Sequence, residues 1–230
     1  MDSLGFINLW KISFERQPEY KAYQKIRKIS GEVLDKFVDF IDPDFDDYSD
    51  VIRIELFDLM EKYKIHFDVE LKEIDSHHTL KAMLYCYDNG GKISQKYLDN
   101  TRIRKPEKLN MIKSIIDSKS SFFEVIREGS KPYKIIIRDV MTNEEYEIID
   151  TGVAFAHRFM NEIIRSKYLL TTLMNYDGIN FVDNSLLLDK NDDDVKFLLT
   201  LCKKHNFKPL HTWFLASTLT NIPEEIWNIK

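Results

Sequence analysis

The feature that most constrains this chain is a change of hydrophobic period near residue 120. Before it, apolar residues recur at the spacing of one buried helix face. After it, they alternate or cluster in short aromatic and β-branched stretches separated by turn residues. Residues 121–127 (SFFEVIR) and 133–139 (YKIIIRD) read as strands with Gly129 and Pro132 between them. Residues 139–144 have turn chemistry, and residues 145–149 alternate again. Asp177-Gly178 then stands between the apolar runs 168–176 and 179–188. Asp-Gly in that setting predicts a two-residue hairpin, because both central residues of the favoured turn need positive φ. Leu169, Thr171, Leu173 and Asn175 share one side of the first strand of this hairpin, and Leu170, Thr172 and Met174 the other. Apolar residues on both sides predict a strand covered on both faces.

The flanks read as helical. Pro18 opens a helix whose inner face is Tyr23, Ile26, Ser30, Val33, Phe37 and Phe40, ending before Asp42-Pro43. Ser49 is placed to cap a second helix, and Asp75 or Ser76 a third that stops at Asn89-Gly90-Gly91. Pro106 opens another, with Leu109, Ile112, Ile115 and Ile116 inward. Near the end, Asp192-Asp193-Asp194 and Lys203-Lys204-His205 match the two poles of a helix dipole, with Leu198, Leu199 and Cys202 facing in. Trp213, Phe214, Leu215, Pro223 and Trp227 read as helical turns docking back on the body. The expected fold is α+β: a helical region over 1–118, a small antiparallel β-barrel of about five strands over 119–190, and C-terminal helices over 191–230 that cap the body. Residues 151–165 are compatible with a short strand, a turn of helix, or both.

The barrel segment carries a resemblance. Phe123, Val125, Arg138, Asp139, Thr142, Glu145, Asp177 and Gly178 are similar in order and spacing to a small β-barrel module of uncharacterised bacterial proteins that often carry a SEC-C zinc knuckle. The likeness spans about residues 121–188 and implies a fold more than an activity. The knuckle itself, a tail rich in cysteine and histidine, is absent, so its zinc does not carry over.

Bulk properties narrow the function. The net charge of −5 disfavours a chain devoted to nucleic acid, although a local basic patch would override it. Two cysteines far apart, Cys86 and Cys202, suit a reducing cytoplasm, and Met1-Asp2 lacks the basic start of a signal peptide. No apolar run reaches the roughly 20 residues of a membrane span. Seven glycines in 230 residues, only Gly90 and Gly91 adjacent, leave little material for phosphate-cradling loops. No P-loop, G-x-G-x-x-G, H-E-x-x-H or G-x-S-x-G occurs.

The remaining candidates are local. Asp42, Asp44, Asp46 and Asp50 have the alternation of a calcium loop, but Asp47 and Arg53 occupy the positions where glycine and a bidentate glutamate belong. Cys202, His205 and His211 offer a zinc site too few ligands, although His66, His77, His78 or Cys86 could fold in. His77 and His78 diverge on a helix and cannot chelate one ion together, and a Cys86–histidine nucleophile would need a contact that spacing does not reveal. Arg102, Arg104, Lys105 and Lys108, followed by Lys113 and Lys119, form the only basic concentration and are the candidate nucleic-acid contacts. The reading is of a non-enzymatic cytoplasmic binding or scaffolding protein of bacterial type, with a protein partner or self-association, no cofactor and no membrane contact. The alternatives are a nucleic-acid-binding barrel and an enzyme whose site gathers dispersed residues.

Overall fold

The computed structural model describes residues 10, 13–41, 58, 61–62 and 92–205. Helix α1 (Pro18–Ile41), α2 (Lys92–Asn100) and α3 (Pro106–Ile116) precede strands β1 (Lys119–Glu128), β2 (Lys134–Asp139) and β3 (Glu145–Ile149). Helices α4 (Thr151–Phe159) and α5 (Asn161–Arg165) lead to β4 (Lys167–Tyr176), β5 (Ile179–Asp189) and α6 (Asp193–His205). Of the helix expected from Ser49 only residues 58, 61 and 62 are described, and they are helical; the helix expected from Asp75 or Ser76, the acidic loop at 42–50 and the C-terminal turns lie outside the described residues.

Local chemistry explains the boundaries. Pro18 and Pro106 stand at the first helical positions of α1 and α3, where a missing N–H costs nothing. Asp150 caps α4 by accepting from the Val153 amide at 2.8 Å, and this resolves residues 151–165 as two helices. Helix α2, which the sequence reading did not anticipate, begins directly after Gly90-Gly91. Its Tyr97 packs edge-on against Phe37 and Phe40 of α1, with centroids 4.5 and 5.4 Å apart.

All pairings in the five-stranded sheet are antiparallel, in the order β3-β2-β1-β4-β5. The Asp177-Gly178 hairpin forms as expected, with φ of 48° and 81° at its two central residues. The ladder slips between Val125 and Arg127, where β1 carries the extra residue, and opposite Leu170–Thr172 of β4, where β5 carries it. Such bulges bend a strand and tighten its twist, so the sheet curls into a half-barrel rather than lying open. The curl brings its two edges together: the Asn180 side chain of β5 donates to the Glu147 carbonyl of β3 at 3.2 Å. The Thr171 hydroxyl mends the second slip by donating to the Asp183 carbonyl at 2.9 Å. This is why a polar residue sits fully buried between leucines there.

Strand β4 is buried on both faces from Leu169 to Met174, as its composition predicts. Phe123, Ile135, Ile137 and Ile148 share one face of the sheet and Phe122, Leu170, Phe181 and Leu188 the other, and all belong to one continuous core with residues of α1, α3 and α6. Helix α6 contributes Leu198, Leu199 and Cys202, the face expected of it.

Candidate functional site

Three polar constellations stand out among the described residues, and the sequence singled out parts of two. The first is the loop between β2 and β3. Asp139 is completely buried, and its Oδ1 accepts from Ser121 Oγ at 2.8 Å and from the Met141 amide at 2.7 Å. Its Oδ2 forms an ion pair with Lys119 Nζ at 2.8 Å. Lys119 also reaches Glu144 at 3.2 Å, and Glu144 accepts from the Tyr146 hydroxyl at 2.6 Å. Asn143 completes the turn with φ of 64°. Burial opposes the Asp139 charge, but the Lys119 ammonium, the Met141 amide and the Ser121 hydroxyl outweigh it and hold the carboxyl below its usual range. Burial likewise works against the Lys119 charge, and Asp139 and Glu144 overcome it, keeping the lysine charged well above neutrality. Asp139, Ser121, Lys119, Glu144 and Tyr146 are thus directed at one another across β1 and the hairpin. The arrangement is a latch that ties β1 to the β2–β3 hairpin, and it accounts for Asp139 and Thr142 as hairpin residues.

The second constellation draws on residues far apart in sequence. Arg27 of α1 pairs with Asp183 of β5 at 3.2 Å and donates to the Val182 carbonyl at 3.2 Å. Asp150, at the β3–α4 corner, feels both groups, and burial pushes its carboxyl up despite the Val153 amide. Tyr23 lies beside them, and burial raises its phenol, with Asp150 adding to the effect. A carboxyl whose ionisation is disfavoured by burial beside a guanidinium and a second carboxylate is the kind of perturbed group that gathers at functional sites. Asp150 nevertheless already holds the first turn of α4. The sequence offered no route to this cluster beyond the N-cap spelling of Asp150.

The third is the basic strip. Arg102, Arg104 and Lys105 are exposed in the linker between α2 and α3, while Lys108 is turned inward and pairs with Glu32 of α1 at 2.6 Å. The strip therefore abuts α1, whose exposed Lys21, Lys25 and Lys28 sequence reading did not connect to it. Lys113 is exposed on α3, whereas Lys119 belongs to the latch.

Cys202 is buried in the core face of α6; the side chain of His205 and the whole of His66, His77, His78, Cys86 and His211 lie outside the described residues. Among the described residues, no group of His, Cys, Asp and Glu side chains is placed to hold a metal ion. No helix among them is long and apolar enough to cross a membrane.

These features define an α+β protein built on a curled five-stranded antiparallel half-barrel, packed by helices from both ends of the chain. The chain belongs to a family of unknown function, DUF7986, whose description matches residues 17–204, from the start of α1 to the end of α6. No curated protein and no solved structure shows significant similarity to it.

Proposed function

We propose that this chain is a non-enzymatic binding or scaffolding protein of the bacterial cytoplasm that recognises a macromolecular partner through exposed side chains. The observation that carries this reading is that the buried acids have structural duties. Asp139 holds a hairpin and Asp150 caps a helix, each with its hydrogen bonds directed at backbone or neighbouring side chains. The half-barrel is proposed to be related to the module found beside SEC-C motifs. In support, the strand–hairpin order around Phe123, Asp139 and Asp177-Gly178 follows the same plan.

Affinity capture from bacterial cells tests the reading, using the intact chain and a variant carrying Arg102→Glu, Arg104→Glu and Lys105→Glu. A stoichiometric partner that is lost with the variant supports recognition by surface side chains. A second reading, an enzyme, is favoured by the convergence of Tyr23, Arg27, Asp150 and Asp183. Turnover in a panel of hydrolase and transferase substrates that Asp150→Asn abolishes, while the variant stays folded, would replace the binding reading with this one.

A further inference from the structure

Lys21, Lys25 and Lys28 of α1 succeed one another at four and three residues, so they line one exposed stripe of the helix. The next member of that stripe is Glu32, which pairs with Lys108 at 2.6 Å and is in electrostatic contact with Lys28 and Lys105. That carboxylate fixes the geometry: the α1 stripe and the α2–α3 linker, some 75 residues apart in sequence, are two sides of one surface. Beyond Glu32 the same face carries Asp35, Lys36 and Asp39, so its excess of positive charge lies in the N-terminal half of α1 and in the linker.

Helix stability does not account for the linker cations. Lys105 occupies the N-cap of α3 and makes no side-chain capping bond there, and Arg104 precedes it. Helix N-termini favour Ser, Thr, Asp or Asn at that position and negative charge around it. Nor does the surface suit a protein partner. Interfaces between proteins are depleted of lysine and anchored by aromatic residues, whereas Tyr20, Tyr23 and Tyr97 next to this stripe are all buried.

We propose that the N-terminal half of α1 and the α2–α3 linker form one surface that binds the phosphate backbone of nucleic acid without reading its bases. The inference rests on the binding-protein reading and names its partner. Among the described residues no exposed aromatic ring lies beside these cations for stacking, so affinity comes from charge and does not depend on sequence.

Fluorescence anisotropy with labelled single- and double-stranded RNA and DNA of mixed sequence tests it, with poly-glutamate as the acidic-polypeptide arm. If Lys21, Lys25, Lys28, Arg102, Arg104 and Lys105 all meet phosphates of a single strand, log K falls against log salt with a slope of about −4. That slope is a loss of roughly 300-fold between about 50 and 200 mM salt. Reversing Lys21, Lys25 and Lys28 to glutamate, or Arg102, Arg104 and Lys105, is expected to remove most of the affinity in either case. Reversing Lys203 and Lys204 on α6 should not, and circular dichroism confirms that each variant is folded. The four nucleic-acid arms decide which strand type is preferred. Absence of binding at low salt, binding indifferent to both triple reversals, or equal affinity for poly-glutamate overturns the proposal. A captured protein partner that survives both reversals would sink it too, yet leave the broader binding-protein reading intact.

Discussion

Replacing Asp139 with alanine removes the one group on which the β1–β2–β3 latch converges. Its carboxylate receives the Ser121 hydroxyl at 2.8 Å, the Met141 amide at 2.7 Å and the Lys119 ammonium at 2.8 Å, and the side chain is wholly shielded from water. A buried donor left without an acceptor costs about 1–3 kcal/mol, and breaking a buried ion pair from one side about 3–5 kcal/mol. Lys119 is 37% exposed, so water takes up part of its lost interaction, which brings the total to the low end. Asp139→Ala is therefore expected to lower stability by about 3 kcal/mol. Asp139→Asn, which keeps an acceptor oxygen but not the charge, should cost less. Lys119→Met strands the buried carboxylate, and the double variant should be less unstable than the sum, with a coupling of about 1–2 kcal/mol. Urea denaturation of the native chain and the four variants gives each number, provided m is unchanged. The sign of the pH effect follows from the depressed carboxyl. The unfolded chain takes up the proton first, so the contribution is complete above about pH 4, the unfolded value, and is lost as pH falls through the lower folded value. A cost below about 1 kcal/mol for Asp139→Ala, or additive single variants, would refute the latch.

Further outcomes follow from single positions. A Cβ on Gly129 would lie 2.7 Å from Lys134 Cβ and 2.9 Å from its backbone carbon, so Gly129→Ala should destabilise by about 1–3 kcal/mol in the same denaturation assay. At Gly178 a side chain would meet open space but would sit at φ of 81°. Gly178→Val should therefore lower the melting temperature through backbone strain alone, and Gly178→Asn much less. His157 is buried, both its ring nitrogens are without a hydrogen-bond partner, and burial together with Arg165 lowers its pKa despite the opposing pull of Glu128. The unfolded chain binds that proton more readily, so stability should fall as pH drops below about 6.5. His157→Leu should flatten that limb of the stability–pH curve, and an unchanged limb would show that other groups set it.

What could be read from the residues alone depended on neighbours in the chain. Asp177-Gly178 dictates its hairpin because the φ values it needs are a property of those two residues. Pro18 and Pro106 open helices because a proline's missing N–H is harmless only there, and the doubly apolar run 169–174 announces a strand buried on both faces. Helix α4 was within reach, since Asp150 is spelled as an N-cap, but Asp-Thr-Gly also ends strands, and only packing against β1 and β2 decides between them. The candidate sites were a different matter. Asp139 reads as a turn residue, and nothing local says that Lys119, 20 residues earlier, will neutralise it inside the core. Arg27 meets Asp183 across 156 residues of sequence, and Lys28 shares a surface with Lys105 only because Glu32 and Lys108 join their helices. Backbone geometry is set by bonded and near-bonded sterics and is therefore legible locally. The pairing of charges is set by which faces the hydrophobic core presses together, and that is determined only once the whole chain has folded.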